Sequence, residues 1–369
     1  MQKKQFKNKM NKKNIIYLPW SSSNLQSIKE GYIKRKMPFL YLELSAKCSK
    51  CNCLYCDSPV HNELQNELSF DEIKNIINKF EEKGLIWLFI CGYGEPSEDE
   101  KLMPLLSYLK NKNIKVSLFT NGLGFSVDDI ELLKKNSANL ILKLDTFKKD
   151  IFDKLLGSKG VAEKIYSFLD SLLLQGFVKL NSNNETNLAF SIVPTALNID
   201  LIPEVIKFCA NNSIYPAIGE MEPIGNAIKN MSLLTISAND LQNLNKKISN
   251  ILGYDYYRPL CPGIIADYRI DHTGNCIIDS ATGLGCGWFL DEKHDPLIIG
   301  NIRNDTIDNI QEKAFLFRSK KFKQAINILK SKKPVISCGG GSRPADWVDG
   351  YINLMNERIK NNNEIKYII

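Results

Sequence analysis

The chain has 369 residues and a formal net charge of +7, and this length fits one large α/β unit or a large unit with a smaller one. Apolar residues make up 44% and charged residues 24% of the sequence, which is typical of a soluble globular protein. No stretch approaches the roughly 20 uninterrupted apolar residues of a membrane-spanning helix, so a membrane protein is not predicted.

The basic surplus lies almost entirely at the start of the chain. Six lysines and no acidic residue fall within the first 13 positions, so the rest of the chain gives no sign of nucleic-acid binding. We expect residues 1–36 to form a basic N-terminal extension with a solvated, frayed start, or alternatively a weak docking tail for an acidic partner. No secretory signal follows it, which predicts a cytoplasmic protein whose ten cysteines serve metal or redox chemistry rather than disulfides.

From about residue 37, short apolar runs alternate with longer amphipathic ones. This alternation is the pattern of parallel strands joined by crossover helices, in an open doubly wound sheet or in a barrel of the triosephosphate isomerase (TIM) type with fewer strands. Six strands are predicted, at 39–45, 85–91, 114–120, 140–145, 188–193 and 213–218.

The helix after the first strand has the clearest sequence signals. Ser69 and Glu72 form a capping box, apolar residues repeat at helical spacing from Ile73 to Phe80, and Gly84 ends the run. Further helices are predicted near 99–112, 127–135, 162–175, 201–212, 238–252 and 312–331.

The segment AKCSKCNCLYCDSP places four thiols directly after the first strand, at Cys48, Cys51, Cys53 and Cys56. A loop this tight does not easily form strain-free disulfides, whereas cysteine thiolates readily hold an iron–sulfur cluster. If only three thiolates bind a four-iron cluster, one iron keeps an open position for a substrate or cofactor, as in catalytic zinc sites. The alternative is a structural zinc site that uses all four thiols.

Polar groups also follow the next three strands, in the segments CGYGEPSED, FTNGLG and LKLDT. Ligands in barrels and in doubly wound sheets bind beyond the carboxyl ends of the strands, so these groups are expected to meet the cysteine loop there. Glycines allow close approach of the backbone to a ligand, and a carboxylate can pair with an ammonium group. The candidate binding residues are Gly92, Tyr93, Gly94, Glu95, Thr120, Asn121 and Asp145, although Asp145 could instead cap the next helix.

These motifs together resemble those of the radical S-adenosylmethionine (SAM) superfamily. The cysteine loop has an aromatic residue, Tyr55, before its last cysteine; GYGEP resembles the segment that contacts the SAM amino group; and TNG resembles the third-strand motif. The resemblance covers about 39–227, including EPIGNA at 222–227. It implies an α/β fold in which residues 37–235 form a partial (β/α)6 barrel of the TIM type.

The resemblance further implies a [4Fe-4S] cluster held by Cys48, Cys53 and Cys56, whose open iron chelates SAM next to Tyr55 and the strand-end residues. Four residues separate Cys48 from Cys53, where the usual motif has three. Cys51 in place of Cys48 is therefore the main alternative for the first ligand.

Four cysteines, Cys261, Cys276, Cys286 and Cys338, are spread through 254–345, and the order of LCPGII, DHTGNC and LIIGNI in this segment resembles the auxiliary-cluster domains called SPASM and Twitch. The resemblance implies one auxiliary iron–sulfur cluster in a small C-terminal domain, which is followed by a tail at 346–369. A zinc site is the alternative, and Cys286 could equally be a buried thiol beside Trp288. The candidate ligands are Cys261, Cys276, Cys286 and Cys338.

The predicted function is that of a radical SAM oxidoreductase, which would cleave SAM reductively to a 5′-deoxyadenosyl radical and abstract hydrogen from a substrate. The expected substrate is a peptide or protein side chain, and the expected electron donor is a flavodoxin or ferredoxin. About 36 residues precede the first strand, too few for a leader-binding winged domain, so a dehydrogenase or epimerase acting on a small molecule such as a sugar is the alternative. A zinc-stabilised binding protein is the non-enzymatic alternative.

Several other residues have ordinary structural interpretations. Cys91 could relay a hydrogen atom to a substrate radical, but a buried thiol explains it more simply. Cys209 follows the apolar spacing of its helix and is predicted to lie in the core. His272 and His294 are predicted turn residues. Glu220 and Glu222 could face either the cavity or solvent.

Overall fold

The computed structural model describes residues 16, 18–19, 36–56, 66–219, 221, 225–253, 267–277 and 298–316. Within these ranges one mixed sheet of nine strands runs in the order β6-β5-β4-β3-β2-β1-β7-β8-β9. The strands are β1 Phe39–Leu42, β2 Trp87–Ile90, β3 Lys115–Thr120, β4 Asn139–Lys143, β5 Leu188–Ile192, β6 Tyr215–Ile218, β7 Asp267–Ile270, β8 Asn275–Ile277 and β9 Ile298–Asn301.

The helices alternate with the strands along the core. They are α1 Phe70–Glu82, α2 Leu102–Leu109, α3 Asp129–Lys135, α4 Lys149–Leu156, α5 Val161–Leu174, α6 Ile202–Asn211, α7 Asn226–Lys229, α8 Met231–Leu234 and α9 Ala238–Leu252. A 3₁₀ turn spans Pro96–Glu98, and residues 307–316 are also helical. None of the helices in the described ranges is long and apolar enough to cross a membrane.

Strands β1 to β6 pair in parallel with their sequence neighbours. This confirms the predicted α/β class and is the architecture of a partial barrel, whose described sheet is not closed. The carboxyl ends of the six strands therefore lie along one edge. The loops that carry the predicted motifs leave the sheet from that edge.

The two faces of the sheet are packed differently. On one face β5 contacts α6, where the rings of Phe190 and Phe208 stack at 6.1 Å. The other face contains a separate small cluster in which Leu18, from the N-terminal extension, packs on Ile141 and Tyr215. Leu18 is 2% exposed, so this part of the extension belongs to the folded body. The lysines at 3–13 lie outside the described residues.

The capping box of α1 is confirmed, because the Ser69 side chain accepts a hydrogen bond from the Glu72 N–H and the Glu72 side chain bonds the Ser69 backbone. Helix α4 is an element that the sequence analysis missed. It has two turns, begins without a side-chain cap and ends at Gly157 in the left-handed conformation. So short a helix shows few apolar repeats, and its amphipathic period is hard to recognise.

The strands after α9 were also missed. β7 pairs in parallel with β1, while β8 pairs antiparallel with both β7 and β9. The C-terminal segment therefore extends the core sheet beyond β1.

Candidate functional site

The cysteine loop, residues 48–56, leaves the sheet shortly after β1, as predicted. Cys48 and Cys53 are partly buried and pack against the main core. Burial first, and then the negative charges of neighbouring groups that include Cys53 and Cys56, raise the pKa of the Cys48 thiol. The charges of Cys53 and Cys56 thus contribute to the raised pKa of the Cys48 thiol.

Cys51 is oriented differently from the other three cysteines. It is 5% exposed and belongs to the main core, and its sulfur accepts a hydrogen bond from Asn121 Nδ2 at 3.8 Å. A hydrogen bond with the Cys51 thiol, followed by burial, raises the pKa of Cys53. Cys51 therefore lies beneath the loop, between the third-strand motif and Cys53.

The C-terminus of α4 holds the middle of the cysteine loop. The backbone N–H of Asn52 donates to the Leu156 carbonyl, and that of Leu54 to the Leu155 carbonyl, both at 2.9 Å. Helix C-terminal carbonyls lack partners within the helix, so the loop satisfies two of them. The missed helix is therefore part of the support of the predicted site.

Glu95 joins the carboxyl ends of β2 and β3. Its carboxylate accepts hydrogen bonds from the Ser97 N–H at 2.9 Å, the Ser97 hydroxyl at 2.7 Å and the Asn121 N–H at 2.7 Å, and also from the Thr120 hydroxyl. Burial raises the pKa of Glu95, although these donors oppose the shift. The structure thus brings three predicted site residues, Glu95, Thr120 and Asn121, into one buried network.

The glycines of GYGEP approach the segment after β1. A Cβ atom on Gly94 would lie 1.9 Å from the Ser45 carbonyl oxygen, and one on Gly92, whose φ is +138°, would lie 2.0 Å from Glu43 Cγ. No larger residue fits at either position. Tyr93 lies with its ring 5.1 Å from the Arg269 guanidinium carbon, so its side chain meets the C-terminal strands.

Asp145 is fully buried and ties the cysteine loop to β4 and β5. It accepts hydrogen bonds from the Tyr55 hydroxyl, from Lys143 Nζ at 2.8 Å and from the Val193 N–H at 2.7 Å. The next helix, α4, has Lys148 as its N-cap and no side-chain cap. Burial, and then the Asp145 charge, raise the pKa of Tyr55, so its hydroxyl stays protonated as a donor.

A buried charge network beside this site was not predicted. Glu43, 1% exposed, forms an ion pair with Arg269 on β7 and lies 2.8 Å from His272 Nδ1. Burial acts to raise the pKa of Glu43, but Arg269 and His272 outweigh it and the pKa is lowered. Burial acts to lower the pKa of His272, but Glu43 outweighs it and the pKa is raised. A charged residue inside the apolar run FLYLELS was the available signal.

The remaining candidates fall into two groups. Cys209 is fully buried on α6, which confirms it as a core residue, and Cys276 is fully buried on β8. Cys91 is partly buried at the end of β2, and its N–H donates to the Leu42 carbonyl at 3.2 Å. The predicted residues that lie outside the described ranges are Cys261, Cys286, Cys338, His294, Glu220 and Glu222.

The donor set of the cysteine loop suits an iron–sulfur cluster. The described residues include no group of three His, Cys, Asp or Glu side chains arranged to hold a single metal ion. The nearby carboxylates of Glu95 and Asp145 each accept hydrogen bonds from the chain itself, so the thiols are the available ligands. Thiolates are the ligands that iron–sulfur clusters use.

Comparison with protein families gives one match in the core. The model of the radical SAM superfamily matches residues 42–189, from the end of β1 into β5. The mycofactocin maturase MftC of Mycolicibacterium smegmatis is 24% identical over 84% of this chain and 78% of its own length. A probable GTP 3',8-cyclase of Methanocaldococcus jannaschii is 26% identical over 61% of this chain and 78% of its own.

Solved structures share the fold. SuiB of Streptococcus suis bound to S-adenosylmethionine has a TM-score of 0.58 at 16% identity, and the alignment covers 74% of this chain and 65% of SuiB. The chain thus spans less than two thirds of the length of SuiB. The enzyme anSMEcpe with bound AdoMet has a TM-score of 0.56 at 15% identity, covering 89% of this chain and 97% of the other. These low identities support the fold alone.

Proposed function

We propose that Cys48, Cys53 and Cys56 hold a [4Fe-4S] cluster that binds SAM, as the match of residues 42–189 to the radical SAM superfamily supports. The observation that carries the proposal is the position of the cysteine loop beyond the carboxyl end of β1, where it is held by α4 and, through Tyr55, by Asp145. Such a cluster, when reduced, supplies the electron that cleaves SAM to methionine and a 5′-deoxyadenosyl radical.

The chain's own residues position and shield this centre. Glu95 locks GYGEP against the end of β3, and Gly92 and Gly94 allow that loop to lie directly on the segment after β1. The backbone groups of GYGEP are thereby held in place between the segment after β1 and the end of β3. We assign Gly92, Tyr93, Gly94, Glu95, Thr120 and Asn121 to the SAM pocket, with Glu95 acting through the position it imposes on its neighbours.

A second support of the cysteine loop lies at the end of β4 and consists of Tyr55, Asp145 and Lys143. Lys143 Nζ lies 4.6 Å from the centre of the Tyr55 ring as well as 2.8 Å from Asp145. The positive charge of Lys143 also lowers the pKa of Cys53, against larger opposing effects. A cation near Cys53 acts in favour of the ionised form of that thiol, which is the form that binds iron.

We further propose that the enzyme is an oxidoreductase acting on a peptide or protein side chain. The MftC match supports this, because that relative is a maturase and aligns over 84% of this chain. The GTP 3',8-cyclase match favours the second candidate, a small-molecule substrate, although it aligns over only 61% of this chain. A flavodoxin or ferredoxin remains the proposed electron donor.

One auxiliary cluster in the C-terminal segment is a separate proposal. Cys276 is the one proposed ligand inside the described ranges, where it is fully buried opposite Ile270 in the β7–β8 pair. Because β7 pairs with β1, this thiol is attached to the same sheet as the cysteine loop. We expect Cys276→Ala to retain SAM cleavage and to lose turnover of the substrate.

Anaerobic reconstitution tests the proposed function. The purified chain, loaded with iron and sulfide and reduced with dithionite, is expected to convert SAM to 5′-deoxyadenosine and methionine, measured by liquid chromatography. Incubation with candidate precursor peptides and with GTP then separates the two substrate classes by product mass. A colourless zinc protein that is inert to SAM would contradict the enzyme proposal and support the zinc-binding alternative.

A further inference from the structure

Helix α7 is a second element that holds the cysteine loop. The backbone N–H of Asn226, its first residue, donates to the Cys56 carbonyl at 2.8 Å. The Asn226 side-chain Nδ2 donates to Asn52 Oδ1 at 2.8 Å and to the Cys53 carbonyl at 3.2 Å. A single asparagine thus contacts two of the three proposed ligand residues and the residue that precedes one of them.

Asn230, one turn further along, adds to this contact. Its Nδ2 donates to the Leu54 carbonyl at 3.1 Å and to the Asn226 carbonyl at 2.9 Å. The second bond lies within the α7–α8 segment and fixes the amide that reaches the loop. The loop carbonyls of 53, 54 and 56 are all bound from this side.

The two supports of the loop use opposite backbone groups. Helix α4 accepts the N–H groups of residues 52 and 54, whereas the α7–α8 segment donates to the carbonyls of residues 53, 54 and 56. These bonds restrain the peptide groups that join residues 51 to 52, 53 to 54 and 54 to 55, and the carbonyl of Cys56. A loop ordered before iron binds loses less conformational entropy when the cluster assembles.

Asn52 is one of the four residues between Cys48 and Cys53, where the usual spacing has three, and it lies directly before Cys53. Its N–H binds α4, its side-chain oxygen binds Asn226, and its carbonyl oxygen lies 2.0 Å from where a Cβ on Gly157 would stand. Asn52 is therefore docked on both supports of the loop.

We propose that Asn52 and Asn226 are a positioning pair that sets the geometry of Cys53 and Cys56 for cluster binding. The inference rests on the proposed function, in which these cysteines are ligands. Both partners are neutral amides, so they restrain the loop without placing a charge against thiolates whose ionisation the cluster requires. A role confined to folding would change the stability of the protein without changing the cluster itself.

The test compares four variants with the wild-type chain after anaerobic reconstitution. They are Asn226→Ala, Asn226→Asp, Asn52→Ala and the double alanine variant. Asn212→Ala is the matched control, because Asn212 Nδ2 also donates to a backbone carbonyl at a helix end, that of Phe208 at 2.9 Å. Iron per chain, the rate of cluster loss to EDTA and the electron paramagnetic resonance spectrum of the reduced protein with SAM are measured.

Asn52→Ala removes one side-chain hydrogen bond and is expected to lose its cluster about fivefold faster than wild type, and Asn226→Ala, which removes two, is expected to be faster still. The double variant is expected to be no faster than the faster single variant, because the two share a bond. Asn226→Asp keeps the shape but places a carboxylate against the Cys53 carbonyl, so it is expected to be at least as fast as Asn226→Ala. The resonance spectrum should change in these variants and not in Asn212→Ala.

The outcomes separate this inference from the proposed function. If the wild-type chain binds no cluster, both are overturned. If the wild-type chain is loaded and cleaves SAM while every variant keeps wild-type cluster lifetime and spectrum, only the positioning pair is overturned. If Asn226→Ala does not fold, Asn52→Ala decides, because it removes the acceptor from the loop and leaves α7 intact.

Discussion

The cysteine loop follows β1 and the β7–β8 hairpin pairs with β1, yet the two are held by different kinds of interaction. Neutral hydrogen bonds from α4 and α7 restrain the loop, whereas a buried ion network of Glu43, Arg269 and His272 fastens the hairpin. The backbone of the loop is bound by neutral groups, and the buried Asp145 carboxylate, which reaches the loop through the Tyr55 hydroxyl, is itself paired with Lys143. The hairpin carries Cys276 on a strand and can rely on buried ions, at the cost of sensitivity to pH.

The largest expected effect separates Cys48 from Cys51 within the loop. Cys48→Ala is expected to abolish 5′-deoxyadenosine formation, because it removes a proposed ligand. Cys51→Ala removes a buried thiol that contacts Asn121 and is expected to retain at least part of the SAM cleavage. Loss of activity in Cys51→Ala with full activity in Cys48→Ala would assign the ligand to Cys51 instead.

The next largest effect concerns the ions that hold the hairpin. Glu43→Gln removes the buried negative charge beside Arg269 and His272 and is expected to cost about 3–5 kcal/mol of unfolding free energy, the usual effect of breaking a buried pair. Denaturant titration measures this loss. Glu163→Gln, which breaks an exposed pair with Lys149, is the control and should change stability little; equal losses in the two variants would refute the distinction.

A pair of glycines tests whether α4 supports the loop. Gly157 and Gly176 have nearly the same φ, +64° and +62°, but only a Cβ on Gly157 meets another atom, the Asn52 carbonyl oxygen at 2.0 Å. Alanine at either position is expected to cost about 1–2 kcal/mol from the left-handed backbone. Only Gly157→Ala should also shift the loop and shorten cluster lifetime; the same lifetime in both variants would exclude this support.

The smallest effect is the pH dependence of the hairpin. The lowered pKa of Glu43 means that its stabilisation is present above the unfolded value and is lost as pH falls through the folded pKa. The raised pKa of His272, to which Asp271 and Glu67 also contribute, means that its stabilisation is present below the unfolded value and is lost as pH rises through the folded pKa. The network should therefore stabilise most between about pH 4.3 and pH 6.5.

Melting temperatures measured across this range for wild type and Glu43→Gln test that expectation. The difference between the two proteins should be greatest inside the window and smaller on either side. A difference that is constant with pH would show that the network does not titrate with folding.

The sequence predicted the features that have a clear local pattern and missed those that do not. The parallel strands, the α1 capping box and the convergence of Glu95, Thr120 and Asn121 followed from periodicity and from motifs at strand ends. Helix α4 was missed because two turns give too few repeats. The Glu43–Arg269 pair was missed because its members lie 226 positions apart, and no local pattern reports which distant strands become neighbours.

The most direct test of the cluster proposal is Mössbauer spectroscopy of the chain reconstituted with ⁵⁷Fe without oxygen, compared with Cys56→Ala. The wild-type spectrum is expected to contain a [4Fe-4S] component that SAM perturbs, and this SAM-sensitive component should be missing from the variant. A wild-type chain without that component, or a Cys56→Ala chain that keeps it, would contradict the assignment of Cys48, Cys53 and Cys56 as its ligands.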